Sequence, residues 1–128
     1  IHNLPHIPNL INQNYKNGKY FNDQLKDLKE IKIINKTDNS DYKSAFWLYT
    51  LLVNKKKEFI EYMKLNNVFV SQVHQRNDVH SCFKDFVTKL PNLDKVEKEI
   101  VCIPVGWWLT QENKEHIVSL IKKFYNHS

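Results

Sequence analysis

The sequence predicts an α+β domain built on a small, largely antiparallel sheet. Both ends of the chain repeat apolar residues at helical spacing, and four short runs rich in β-branched and aromatic residues lie between them. The resulting order is helix, strand, strand, helix, strand, loop, helix, strand, helix, which is the pattern of mixed α+β packing. At 128 residues the chain supports one core. The expected organisation is a single domain over 1–128, with 1–30 as a lead-in and connecting helix and 31–128 as the α+β body.

Pro5 and Pro8 restrict the start of the chain, and Leu10, Ile11, Tyr15, Phe21, Leu25 and Leu28 then recur at helical spacing. This predicts a helix from near Pro8 to about Lys29, weakened in its middle by Gly18. Residues 31–34 read as a short strand. Residues 35–43 are rich in Asn, Asp, Thr and Ser, a loop or hairpin connection in which such side chains bond their own backbone. The strongest strand signal is 44–53, where Phe46, Trp47, Tyr49 and Val53 stand among apolar neighbours on both faces, so this strand belongs at the centre of the sheet. Asn54 is the expected cap of a helix that carries Phe59, Ile60 and Met63 inward and stops at Asn66-Asn67. Residues 68–70 give a third strand. From 71 to 92 there is no long periodic element beyond a helical turn about 80–86, and Phe83 and Phe86 argue for an ordered, packed loop. A helix at 93–99 and a fourth strand at 100–105, ended by Pro104 and Gly106, follow. Thr110 then caps an amphipathic helix with Ile117, Leu120, Ile121 and Phe124 on one face.

Charge and composition exclude several classes of function. The net charge of +5 comes from lysines spread along the chain, with Lys55-Lys56-Lys57 as the single cluster, which reads as a solvated face and not as a nucleic-acid surface. The longest apolar run, 45–53, is too short to span a bilayer, and no signal peptide is visible. Cys82 and Cys102 fit free thiols in a reducing cytoplasm better than a disulfide. The chain begins at Ile1 and its one methionine is Met63, which reads as a processed chain or a piece of a longer one.

One position stands out chemically. Of nineteen basic residues only Arg76 is an arginine, and it lies within Val73-His74-Gln75-Arg76-Asn77-Asp78-Val79-His80-Ser81-Cys82, the densest run of polar side chains. A guanidinium offers what lysine cannot, a planar two-point grip on a carboxylate, phosphate or carbonyl. The alternative is a structural ion pair with Asp78 or Asp85. His74, His80 and Cys82 could ligate a metal, but their spacing matches no zinc pattern. Cys82 lacks an accompanying oxyanion motif, so it reads as a structural thiol and no catalytic residue is assigned. Two glycines cannot supply a phosphate-cradling loop. Trp107-Trp108 is either a stacking platform or, the preferred reading, a cap on the sheet edge packed under the last helix.

Several of these stretches carry a resemblance. Ser44-Ala45-Phe46-Trp47-Leu48-Tyr49-Thr50, Phe59-Ile60-Glu61-Tyr62, Val73-His74-Gln75-Arg76-Asn77-Asp78, Leu90-Pro91 and Cys102-Ile103-Pro104-Val105-Gly106-Trp107-Trp108-Leu109-Thr110 resemble the C-terminal part of the DegT/DnrJ/StrS sugar aminotransferases, nearest to the viosamine synthase branch. The similarity runs from about Asn9 to Tyr125. It implies the small C-terminal domain of the aspartate-aminotransferase-like fold, which packs over a large domain that holds pyridoxal phosphate. The Schiff-base lysine and the phosphate-binding residues belong to that large domain, so this chain alone is expected to bind no cofactor and to be inactive. The resemblance further implies a nucleotide-linked keto sugar as substrate, glutamate as amino donor and a homodimer in the intact enzyme. His74, Arg76, Asn77 and Asp78 become candidate substrate-binding residues, and Gln75 stands where relatives often carry an aromatic. The alternative is a freestanding, non-catalytic binding domain of the same fold. A cofactor lysine encoded upstream of Ile1 would favour the first reading, and a start codon there the second.

Overall fold

The computed structural model describes residues 4–34 and 42–126. A 3-10 turn, Leu4–His6, leads into α1 (Ile7–Leu25), followed by β1 (Ile31–Ile33), β2 (Tyr49–Val53) and α2 (Lys56–Leu65). Two 3-10 turns, Asn77–Val79 and Ser81–Phe86, precede α3 (Pro91–Glu99), β3 (Ile100–Ile103) and α4 (Gln111–Asn126). The sheet has the order β1-β2-β3 and both pairings are antiparallel, with Ile31 opposite Val53 and Tyr49 opposite Ile103. The fold is therefore α+β, with the strand of strongest sequence signal in the middle. Most of the expected loop at 35–43 lies outside the described residues.

The core sits on one face of this sheet. Tyr49, Leu51 and Val53 of β2 alternate inward with Val101 and Ile103 of β3, and α1, α2 and α4 close over them with Phe21, Leu25, Phe59, Met63, Ile117 and Ile121. α1 enters this core through two consecutive residues. Asn17 is buried, and its side-chain amide donates to the carbonyls of Val105 (3.3 Å) and Gly106 (3.0 Å), which ties the first helix to the turn after β3. Gly18 lies against the ring of Phe46, where a Cβ would fall 2.3 Å from Cγ. A residue that weakens the helix by propensity is thus required by packing.

Several elements differ from the sequence reading for identifiable reasons. The central strand starts at Tyr49 and not at residue 44, because Phe46 adopts a left-handed backbone (φ 43°) that turns its ring inward, with its N–H donated to Ser44 Oγ. α1 ends at Leu25 and not near Lys29, and Leu28 packs on the core from the turn beyond. Asn54 does not cap α2. Lys55 takes that position in a left-handed conformation, while the Asn54 carbonyl accepts the Tyr125 hydroxyl. Residues 68–70 form no strand. α2 ends in a Schellman motif on left-handed Asn67, in which Val68 N–H donates to Met63 O and Asn67 N–H to Lys64 O, so the Val68 amide is spent before it can join a ladder. The segment meets β3 only at a bridge between Ser71 and Cys102. Pro91 occupies the first turn of α3, which moves its start ahead of the expected 93. β3 ends at Ile103, just before Pro104, which has no N–H to give. Thr110 caps α4 as expected, accepting the Asn113 N–H at 3.1 Å while Asn113 Oδ1 accepts the Thr110 N–H.

Both glycines make room for a ring, but with different freedom. At Gly106 a Cβ would fall 2.1 Å from Cη2 of Trp108, the outer end of a side chain that is 63% exposed and able to swing away. Phe46 is 2% exposed and cannot. Gly18→Ala is therefore expected to lower stability by about 1–3 kcal/mol, as overpacking does, in spite of its better helix propensity. Gly106→Ala should cost clearly less. Denaturant unfolding of both variants, compared at equal slope, checks the order, and a Gly18→Ala chain as stable as the wild type would refute it.

Candidate functional site

The polar run found in the sequence forms the surface of an excursion between the Ser71 bridge and β3. No residue from 71 to 99 is buried. A segment with no core of its own must be held by other means, and here polar contacts do it. Gln72 Nε2 donates to the His74 carbonyl at 2.9 Å and to Glu97 Oε2 at 2.6 Å. Gln72 Oε1 accepts from Lys56 Nζ, which also donates to the Glu97 carbonyl at 2.7 Å. Lys56, the middle residue of the lysine run, thus turns inward between α2 and α3. Partial burial pulls its ammonium below the ordinary lysine range, and the charge of Glu97 opposes that shift.

Arg76 is committed to carboxylates of its own chain. Nε donates to Asp78 Oδ1 at 2.8 Å and Nη2 to Asp78 Oδ2 at 2.5 Å, a fork-to-fork pair, while Nη1 donates to Asp94 in the first turn of α3. Asp78 is one of the two partners the sequence offered. Asp94 is new, and Asp85 takes no part among these bonds. The hydrogen bonds to Asp78 and then Asp94 raise the guanidinium above its already high range, and the bond from Arg76 holds the Asp78 carboxyl below its ordinary 3.8. Around this pair His74, Gln75 and Asn77 are exposed. The ring of His74 lies 6.2 Å from that of Trp47, which is itself exposed.

Two hollows flank Arg76. A cleft of about 380 Å³ is lined by Gln75, Asn77 and the Arg76–Asp78 pair on one side and by Phe83, Phe86, Leu90 and Leu93 on the other. A smaller hollow of about 130 Å³ lies between His74, Arg76 and the α3 residues Val96 and Glu97. The structure therefore brings all four candidate residues to one surface, with His74 and Asn77 presented outward and Arg76 and Asp78 joined to each other. Trp107 and Trp108 are half exposed, ring against ring at 5.9 Å, and Trp108 lines a hollow with Asn113, His116 and Ile117 of α4. Among the described residues no three His, Cys, Asp or Glu side chains converge on a point that could hold a metal. Both cysteines are free, Cys82 exposed and Cys102 buried.

Sequence reasoning missed Asp94, Gln72, Glu97 and Lys56. Asp94 carries the weak signal of an acid in the first turn of a helix, and Lys56 is hidden by its lysine neighbours. The low Asp78 value has a sign that can be checked. A depressed carboxyl adds stability that is present above pH 3.8 and is lost as pH falls through the lower folded value. In Arg76→Gln the Asp78 midpoint should move upward toward the ordinary carboxylate value, read by carboxyl-carbon NMR titration. An unchanged midpoint would show that Arg76 is not its partner in solution.

The fold recurs in solved proteins. The chain matches the sugar aminotransferase CalS13 of Micromonospora echinospora with a TM-score of 0.85 and 34% identity, over 94% of this chain and 32% of that one. It matches AtS13 of Actinomadura melliaura with a TM-score of 0.88 and 29% identity, over 94% and 32% respectively. It also shares the fold of Helicobacter pylori PseC, an aminotransferase involved in the biosynthesis of pseudoaminic acid, with a TM-score of 0.85 at 15% identity over 98% and 35%. The chain thus spans about a third of the length of these proteins. No curated protein sequence matches it. Among the described residues no helix is long and apolar enough to cross a membrane. The model of the DegT/DnrJ/EryC1/StrS aminotransferases matches residues 1–122, and 94% of this chain aligns at 34% identity with a solved sugar aminotransferase, so the chain belongs to that family.

Proposed function

We propose that this chain is the substrate-side C-terminal domain of a pyridoxal-phosphate-dependent nucleotide-sugar aminotransferase, a single unit over 1–128 in which 1–30 connects to the cofactor-binding large domain. The observation that carries the reading is the 34% identity to a sugar aminotransferase over 94% of the chain. The proposed reaction turns a nucleotide-linked keto-deoxysugar into an amino sugar with glutamate as donor, in a cytoplasmic homodimer. The viosamine synthase branch is the proposed place within the family, on the strength of the histidine-arginine-asparagine-aspartate loop and the Pro104-Val105-Gly106-Trp107-Trp108 segment.

Pyridoxal phosphate supplies the electron sink for such chemistry, but the described residues of this chain do not fit it. Neither glycine offers open backbone for a glycine-rich phosphate loop, since both lie against aromatic rings. Lys56 has its ammonium held by Gln72 and Glu97. On this reading the cofactor belongs to the large domain, as the family resemblance implies. Exposed aromatic side chains are consistent with such a neighbour: Trp47, Phe69 and Phe86 are each more than 70% exposed.

The part left to this chain is to hold the sugar. Two carboxylates already balance the Arg76 guanidinium, so Arg76 itself carries no surplus positive charge for a diphosphate. Its free groups, the His74 imidazole, the Asn77 amide and the remaining Arg76 N–H donors, suit hydroxyl and carbonyl oxygens of the sugar. Asp78 keeps the Arg76 fork in plane.

The test is made in the full-length enzyme with a keto-sugar nucleotide and glutamate. Arg76→Lys keeps the charge but loses the fork, and Arg76→Ala loses both. Each is expected to lower kcat/KM for the nucleotide sugar by about tenfold to a hundredfold, with cofactor absorbance nearly unchanged. Absence of any turnover by the intact wild-type enzyme would favour the non-catalytic reading. Wild-type kinetics with a lowered Tm would leave Arg76 a purely structural ion pair.

A further inference from the structure

Of the four candidate residues, His74 lies between two fixed points, the second of them Arg76 itself, that neither the family match nor the sequence assigns. At one end Gln72 is bonded at once to the His74 carbonyl and to Glu97. At the other, Arg76 is bonded to Asp94. Asp94 and Glu97 are three residues apart on α3 and so share a face of that helix. A span of five residues, 72–76, with both ends held to one helix has little freedom left between them, and His74 is its midpoint. Asn77 follows directly as the first residue of the next 3-10 turn.

Burial cannot explain why this geometry is kept, since no residue from 71 to 99 is buried. Nor does global stability. The Asp94 side chain is 52% exposed, and an ion pair to so exposed a carboxylate contributes little to folding. What the contact does is fix direction. Asp78 alone would hold Arg76 within its own turn, two residues away. Asp94 is the bond that relates that turn to α3, and through α3 and β3 to the sheet.

We propose that Asp94 is a positioning residue for the sugar substrate: by holding Arg76 to α3 it sets where His74 and Asn77 present their polar groups, with the Gln72–Glu97 bond fixing the other end. This rests on the reading that the loop faces the sugar. Asp94 touches no substrate atom in this proposal, and its removal shifts the groups that do.

The experiment uses the full-length enzyme loaded with cofactor. Asp94→Asn keeps the shape but removes the charge, Asp94→Ala removes the acceptor, and Asp94→Glu restores a carboxylate with longer reach. The Asn and Ala variants are expected to weaken nucleotide-sugar binding by calorimetry, and to raise its KM, by about fivefold to twentyfold. Their kcat stays within about twofold, and the KM for glutamate, the cofactor absorbance and Tm hold near wild-type values. Glu recovers most of the loss. Unchanged sugar affinity in both variants overturns the proposal. So does a matching rise in the glutamate KM together with a lowered Tm, which marks a general structural defect. If the Ala variant fails to fold, the milder Asn variant decides. His74→Ala, measured alongside, separates the two levels. Weaker sugar binding in His74→Ala with wild-type binding in the Asp94 variants defeats only the positioning role, whereas wild-type binding in all of them defeats the reading of the loop itself.

Discussion

Two adjacent residues of α1 hold the fold together. Asn17 supplies the donors for two carbonyls at the turn after β3, and Gly18 supplies the space for the ring that precedes β2. A buried amide without these partners would carry the full cost of desolvation, on the order of 1–3 kcal/mol. The first helix, the approach to the central strand and the turn bearing the tryptophan pair are therefore registered against one another at a single point, although 88 residues separate Asn17 from Val105. β2 can then pair on both edges, and Tyr49 Oη can donate to Asn22 Oδ1 at 2.8 Å one turn further along α1.

From that frame the chain builds outward in two different materials. On the core face, apolar burial sets position: Phe21, Tyr49, Phe59 and Ile121 are all at or near zero exposure. Beyond the Ser71 bridge the same chain runs through almost thirty residues with no buried side chain, and position is set by directed bonds to Asp94, Glu97 and Lys56. Such a region opens more readily than the core. It is also where we propose the substrate contacts, and a surface that meets a polar ligand gains from being assembled with bonds that have direction.

The periodic elements were legible in the sequence. Ile117, Leu120 and Ile121 gave the last helix its face, and the aromatic run before Val53 identified the central strand. What could not be read was any backbone choice made by long-range contact. Phe46 leaves the strand because a glycine some thirty residues earlier receives its ring, and Val68 misses the ladder because its amide closes a helix end. The candidate loop was found from its lone arginine, but the arginine's partner on α3 was not. An aspartate in the first turn of a helix has a sufficient local reason to be there, and nothing in the sequence points from it to a loop eighteen residues away.

The left-handed positions have a consequence for how this chain can change. Phe46, Lys55 and Asn67 adopt positive φ, a conformation that costs most side chains roughly 1–2 kcal/mol and glycine nothing. Neither glycine is used for such a turn. Glycine has thus been reserved for missing bulk, and backbone strain is borne by residues with side chains. Replacement by glycine is open at Lys55 and Asn67 on conformational grounds, whereas at Gly18 any side chain must displace the buried Phe46 ring. For an evolving gene this leaves unspent stability at surface turns, available to offset losses incurred when the exposed polar loop is altered.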